Sequence, residues 1–110
     1  MLFRSLRYGA SGVSHLDVLR WATEGSARCL GRDDIGRIAP GYQADLALFT
    51  LDEPRFSGAH DPLAALILCG AHRADRVMVG GVWRVVDGAV VGLDLAALMA
   101  EHRAAALVLA

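Results

Sequence analysis

The sequence predicts an α/β fold with a β-rich tail. A helix-capping pattern near residue 14 begins a helical first part, and an apolar strand follows a Pro-Gly turn within residues 35–52. A Gly-Gly pair between two short apolar runs, residues 76–79 and 82–86, is a strong signal of a two-residue β-hairpin. Residues 93–110 are rich in Ala and Leu and predict a terminal helix.

The helical first part contains several start and stop signals. Residues 1–12 predict the end of one helix. Ser14 then caps a new helix, and Asp17, three residues later, completes a capping box. We expect this helix to end at Gly25 and a further short helical segment to end at Gly31, because glycine is favoured at the position just after a helix.

Residues 35–52 predict a short strand, a turn and a second strand. Pro40 presets the backbone for the second position of the turn, and Gly41 can adopt the positive φ that a type II turn requires next. Residues 44–49 are then almost wholly apolar, which predicts a strand that is covered on both faces.

Asp45 is the acidic exception at the entry of that apolar strand. A buried carboxylate needs hydrogen bonds from backbone N–H groups or from an arginine. We predict a structural role, in which Asp45 ties the Pro-Gly turn to the strand. The sequence does not choose among the possible arginine partners, which are Arg37, Arg73 and Arg76.

A loop and a short helix are predicted after this strand. Residues 51–60 are polar and rich in turn-forming residues, which predicts a loop. Asp61 and Pro62 suit the N-cap and the first position of a helix near residues 61–68.

The last third of the chain predicts two tight turns and a helix. Gly80-Gly81 forms the hairpin turn, and Asp87-Gly88 predicts another turn before a strand at residues 89–91. Asp94 caps the terminal helix. The apolar stripe of that helix is Leu95, Leu98, Met99, His102, Ala106 and Leu109.

Composition excludes several classes of function. The net charge is −1, and all eleven basic residues are scattered arginines, so no basic stripe suits a nucleic-acid backbone. No apolar run approaches the roughly 20 residues of a membrane span, and we expect a cytoplasmic protein. Cys29 and Cys69 are expected to be buried apolar residues, not a disulfide or a metal site. The hydrophobic fraction of 55% favours a fragment of a larger protein, whose missing part would cover its apolar faces.

Four segments resemble the closing part of metal-dependent amidohydrolases of the cytosine/guanine deaminase and chlorohydrolase type. They are LDVLRWATEGSARCLG, IGRIAPGYQADLALF, HDPLAALILCG and ADRVMVGGVWRVVDG, and the first and third are similar to 8-oxoguanine deaminases. The resemblance implies that residues 1–34 are the helical end of a (β/α)₈ barrel. Residues 35–92 would then belong to the C-terminal part of a composite β-sandwich, and residues 93–110 to a C-terminal helix.

The resemblance also implies a reaction, the hydrolytic deamination of a purine. In such enzymes a divalent metal, usually zinc, lowers the pKa of a bound water, and a carboxylate moves a proton to the leaving amine. The family ligands are a His-x-His pair, two later His and an Asp. None can be placed on this chain, so we expect no catalytic or metal-binding residue here and no activity from these residues alone. Its four histidines lie far apart: His15, His60, His72 and His102.

Each polar candidate also has a simpler structural interpretation. His60 and His72 lie in predicted loops, and His102 is expected to pack on the terminal helix stripe. His15 lies in a first helical turn, which disfavours a cation, so it is expected to be neutral or exposed. Asp33-Asp34 is expected to be exposed and ionised. Two aromatic residues are expected to pack in the fold and not to stack on a base: Trp21 and Trp83.

Three hypotheses about the chain remain open. In the first hypothesis, the chain is the C-terminal piece of a purine deaminase and needs the missing barrel segment or a second copy. Alternatively, it is a stand-alone, non-enzymatic domain that binds a partner protein through the hairpin edge or the final helix. A third hypothesis makes it one subunit of a split amidohydrolase, whose barrel is a separate polypeptide.

Overall fold

The computed structural model describes residues 12–70 and 73–108 as a mixed helix and strand fold. The predicted helix end at residues 1–12 lies outside the described residues, apart from Gly12. The helices are α1 (His15–Arg20), α2 (Ser26–Cys29), α3 (Pro62–Leu68) and α4 (Leu95–Val108). The strands are β1 (Leu46–Leu48), β2 (Arg76–Val79), β3 (Val82–Val86) and β4 (Ala89–Val90).

Helix α1 begins with the predicted capping box. The N–H of Asp17 donates to Ser14 Oγ at 3.1 Å, and the N–H of Ser14 donates to Asp17 Oδ2 at 3.0 Å. Two backbone donors that the helix itself leaves unpaired are thereby satisfied. This part of the sequence prediction is confirmed.

The predicted helix end at Gly25 is wrong. Gly25 has helical angles, φ −64° and ψ −45°, and a π-helical segment, Trp21–Gly25, joins α1 to α2 without a break. A single glycine weakens a helix but does not stop it, because it can adopt helical angles as readily as any other residue. The chain leaves the helix only at Gly31, whose φ is +67°, as predicted.

Two backbone hydrogen bonds close this helix end. The N–H of Arg32 donates to the carbonyl of Ala27 at 3.0 Å, and the N–H of Gly31 donates to that of Arg28 at 3.0 Å. This is the Schellman arrangement that satisfies the last carbonyls of a helix.

The short strand predicted after residue 35 is absent. The backbone bends there instead, because Gly36 adopts φ +85° and lies directly against the preceding helix. Ile38, which a strand would have paired, is 90% exposed. The turn at Pro40-Gly41 is present, with φ +85° at Gly41 and a 3.1 Å hydrogen bond from the N–H of Tyr42 to the carbonyl of Ala39.

The four strands form one antiparallel sheet in the order β1-β2-β3-β4. Gly80-Gly81 joins β2 to β3 with φ of +56° and +80°, and Asp87-Gly88 joins β3 to β4 with φ of +51° and +72°. Positive φ at both turn residues gives the turn the twist that antiparallel neighbours need. A register shift lies between Val77 and Met78, where β2 pairs with β3.

Both faces of the sheet are apolar, and no helix packs extensively against either face among the described residues. The described residues therefore do not cover the strand at residues 44–49 on both faces, contrary to expectation, and Leu48 is 44% exposed. Cross-strand pairing places Ala47, Val77, Val85 and Val90 on one face. The other face carries Leu46, Met78 and Trp83.

The core of the described residues is very small. Its buried members are Ala27 on α2, Ala65 on α3 and Phe56 in a 3₁₀ turn, Pro54–Phe56, that interrupts the predicted loop at 51–60. The accessible surface of the chain is 8767 Å², against about 5,900 Å² for a compact monomer of this mass.

Because the core is so small, several residues that are expected to be buried or packed are exposed. They are both cysteines, Cys29 and Cys69, and the two tryptophans, Trp21 and Trp83. Asp94 precedes helix α4 and caps it as predicted, because its Oδ1 accepts the N–H of Ala97 at 3.0 Å. The stripe of this helix, with His102, is exposed where packing was expected, and Leu109 lies outside the described residues. No helix of the described ranges is long and apolar enough to cross a membrane.

Candidate functional site

The imidazole and carboxylate groups of the described residues do not assemble into a metal centre. No three His, Cys, Asp or Glu side chains in residues 12–70 and 73–108 are placed to hold a metal ion together. His60 and His102 are exposed on separate elements, and His72 lies outside the described residues. The divalent metal that the resemblance implies therefore does not fit these residues. The charged and polar side chains instead make the structural contacts described below.

Asp45 binds backbone groups of the hairpin turn. Its Oδ1 accepts the N–H of Gly80 at 2.7 Å, and the N–H of Gly81 donates to the carbonyl of Ala44 at 3.1 Å. These two hydrogen bonds attach the start of β1 to the β2–β3 turn. Asp45 itself is exposed, so its carboxylate remains open to solvent on its other side.

The three arginines considered as partners of Asp45 have other partners. Arg37 pairs with Glu24 at 2.9 Å, and Arg76 lies 3.6 Å from Asp87. The guanidinium of Arg73 donates to the carbonyl of Gly88 at 3.1 Å. The backbone alternative is thus the one that the structure contains.

Asp75, one residue before β2, binds both the end of β1 and the β3–β4 turn, and the sequence analysis did not single it out. Its carboxylate accepts the N–H of Thr50, its own N–H donates to Leu48 at 2.9 Å, and its carbonyl accepts the N–H of Gly88 at 2.8 Å. A signal was available, because Asp45 and Asp75 each come one residue before a strand. Each carboxylate then satisfies a backbone donor on a neighbouring segment that the short ladders leave unpaired.

A charged cleft of about 200 Å³ lies between the end of the helix and the loop that follows it. Glu24 accepts from Arg37 at 2.9 Å and lies 3.5 Å from Arg28. The hydrogen bond from Arg37 holds the pKa of the Glu24 carboxyl below its usual value. Every charge named here has a partner of opposite sign, so these contacts stabilise the loop geometry.

Asp33-Asp34 does not form a pair of carboxylates suited to acid–base work. Arg32 binds Asp34 with two parallel hydrogen bonds, of 2.8 and 2.6 Å, and Asp33 is exposed. The hydrogen bond from Arg32 lowers the pKa of Asp34, which keeps this carboxyl ionised near neutral pH. Both oxygens of Asp34 are thus committed to Arg32, so the two carboxylates are not placed to share one proton.

Asp61 joins the starts of α1 and α3. Its Oδ1 accepts the N–H of Leu63 at 2.9 Å and that of Ala64 at 3.1 Å, which confirms it as the predicted N-cap. Its Oδ2 lies 3.3 Å from His15 Nε2. The hydrogen bond from Ala64 is the main cause of the lowered pKa of Asp61. His15, expected to be neutral or exposed, is thus half-buried against a carboxylate.

Gly36 fits against the helix through the absence of a side chain. A Cβ at this position would lie 3.0 Å from the carbonyl oxygen of Thr23 and 3.0 Å from Ala27 Cβ. Gly41 has the same φ of +85°, yet a Cβ there would meet nothing within 4 Å. The sequence pattern gave Gly41 a role and left Gly36 unassigned, because the approach of a loop to a helix leaves no local motif.

The sequence of this chain is similar to that of known hydrolases and deaminases. A model of the Amidohydrolase family matches residues 1–84. The chain is 71% identical over 106 residues to the 8-oxoguanine deaminase of Pseudomonas aeruginosa, a match that covers 96% of this chain and 24% of that protein. It is 37% identical over 100 residues to an isoxanthopterin deaminase of an unknown prokaryotic organism, covering 90% and 21% of the two chains.

A solved structure gives the same result for the fold. The chain superimposes with a TM-score of 0.84 and 35% identity on an adenosine deaminase from Xanthomonas campestris with bound zinc. This match covers 93% of this chain and 24% of that one. The chain therefore spans about a quarter of the length of these relatives.

Proposed function

This chain belongs to the amidohydrolase family, and we propose that it forms the C-terminal part of a metal-dependent hydrolase that deaminates a purine of the 8-oxoguanine type. The observation that carries the proposal is the 71% identity to 8-oxoguanine deaminase over 96% of the chain. The family alone leaves the substrate open, since the isoxanthopterin relative is 37% identical.

In this proposal the chain supplies structure, and the rest of the enzyme supplies the chemistry. Residues 1–34 complete the barrel, residues 35–92 contribute strands to the sandwich, and residues 93–110 form the last helix. The sheet supports this division, because its two faces are apolar and uncovered by the described residues. A single sheet with two apolar faces is stable in water only when further layers pack on it.

The metal ligands are assigned to another part of the enzyme. The similar adenosine deaminase structure contains zinc, whereas the described residues of this chain hold no cluster that could bind it. No catalytic step is therefore assigned to a residue that the structure describes.

The substrate is tested on the full-length protein that the gene encodes. We expect zinc-loaded enzyme to release ammonia from 8-oxoguanine with a higher kcat/KM than from guanine, isoxanthopterin or adenosine. A folded, zinc-loaded protein that prefers another of these compounds would overturn the substrate, and one that releases no ammonia from any of them would overturn the deaminase assignment.

The role of the segment is tested separately with a chimera. The matching part of the Pseudomonas aeruginosa enzyme is replaced by these 110 residues. The rate of 8-oxoguanine deamination is expected to stay within about tenfold of the parent, which corresponds to a change of about 1.4 kcal/mol in the activation free energy. The 110 residues alone are expected to bind no stoichiometric zinc and to release no ammonia. Zinc binding and turnover by the isolated chain would refute this division of roles.

Two alternatives make different predictions in the same experiments. A stand-alone partner-binding domain would purify as a folded monomer or dimer and would be encoded without a barrel. A split amidohydrolase would regain zinc and activity when a separately encoded barrel is added to the isolated chain.

A further inference from the structure

We draw no further inference here: the strongest candidate, the exposed apolar surface formed by helix α4 and both faces of the four-stranded sheet, is an unpartnered apolar surface, and nothing in the structure shows what covers it.

Discussion

The helical region, α1 to α3 with its connections, and the sheet region, β1 to β4, differ in burial. The helical region contains all three buried residues of the described chain, Ala27, Phe56 and Ala65. No residue of the four strands is buried. Yet the sheet is ordered by backbone hydrogen bonds as fully as the helical region is, and a carboxylate binds backbone N–H groups at each end of β1.

The difference separates two requirements that are often met together. Turns, caps and strand ladders depend on local geometry, and both regions satisfy them. Burial of apolar side chains depends on a second layer, and among the described residues only the helical region has one, with α1 packed on α3. The sheet therefore has a defined shape, but the described residues leave its surface uncovered.

The largest expected loss of stability comes from a charge placed on the sheet. Val79 is 49% exposed here, but we expect it to be covered in the full-length enzyme. Val79→Asp should then destabilise that enzyme by about 4–5 kcal/mol, because it buries an unpaired charge. Urea denaturation measures the loss. Arg84→Gln, on the exposed part of β3, is the control and should change stability by about 0.5 kcal/mol or less. Equal, small effects of both changes would mean that this face stays in water.

The next effect tests how closely the loop approaches the helical region. Gly36→Ala should cost about 3 kcal/mol, since the new methyl group adds a steric conflict with Thr23 and Ala27 to the strain of positive φ. Gly41→Ala has the same φ and open space, so it should cost only about 1–2 kcal/mol. Thermal unfolding of the two variants compares them directly. If both lose the same stability, the close contact at Gly36 is not formed.

A smaller effect concerns the attachment of β1 to the hairpin. Asp45→Ala removes the acceptor of the Gly80 N–H and should cost about 1 kcal/mol. Asp45→Asn keeps an oxygen acceptor and should recover about half of that loss. Hydrogen exchange at the Gly80 amide is the specific measurement, with faster exchange expected in the alanine variant. An unchanged exchange rate would show that this amide is protected by other means.

The smallest effect is the pH dependence of the ion pairs in the helical region. The folded pKa values of Asp34 and Asp61 lie below their ordinary values, mainly because of hydrogen bonds from Arg32 and Ala64. Their contribution is present above about pH 4, the unfolded value, and is lost as the pH falls through the folded pKa. Asp34→Asn should lower the urea midpoint at pH 7 and bring no further loss at low pH, where wild-type Asp34 is protonated.

Asp33→Asn serves as the comparison for this pH effect. Asp33 is exposed, and the bidentate contact with Arg32 belongs to its neighbour. Its variant should change the stability at pH 7 by about 0.5 kcal/mol or less, as expected for an exposed surface substitution. A gap between wild type and Asp34→Asn that persists unchanged at acid pH would exclude the ion pair as its cause.

The sequence predicts the caps and turns of this fold well. The cap at Ser14, the N-cap at Asp61, the stop at Gly31 and the hairpin at Gly80-Gly81 all appear at the expected positions. Each depends on residues within about four positions of one another, which is the range over which capping and turn hydrogen bonds act. The family was likewise predicted from short motifs of this kind.

Burial and long-range contacts could not be predicted in the same way. The role of Gly36 against the helix and of Asp75 between β1 and the β3–β4 turn depends on residues far apart in the chain. The apolar character of Cys69 and Trp83 predicts packing, yet both side chains are exposed among the described residues. Hydrophobicity indicates that a residue needs cover; it does not say which polypeptide supplies it.

The wide spacing between Asp45 and Gly80 has a consequence for synthesis on the ribosome. The two residues that hold β1 to the hairpin are 35 positions apart. At a translation rate of about 5–20 residues per second, β1 leaves the ribosome roughly 2–7 s before its hydrogen-bonding partner exists. The β2–β3 hairpin, by contrast, can pair within about 1–10 μs once made. The apolar β1 segment is therefore the part of this sheet with the longest unpaired lifetime, and the one that chaperones have most time to bind.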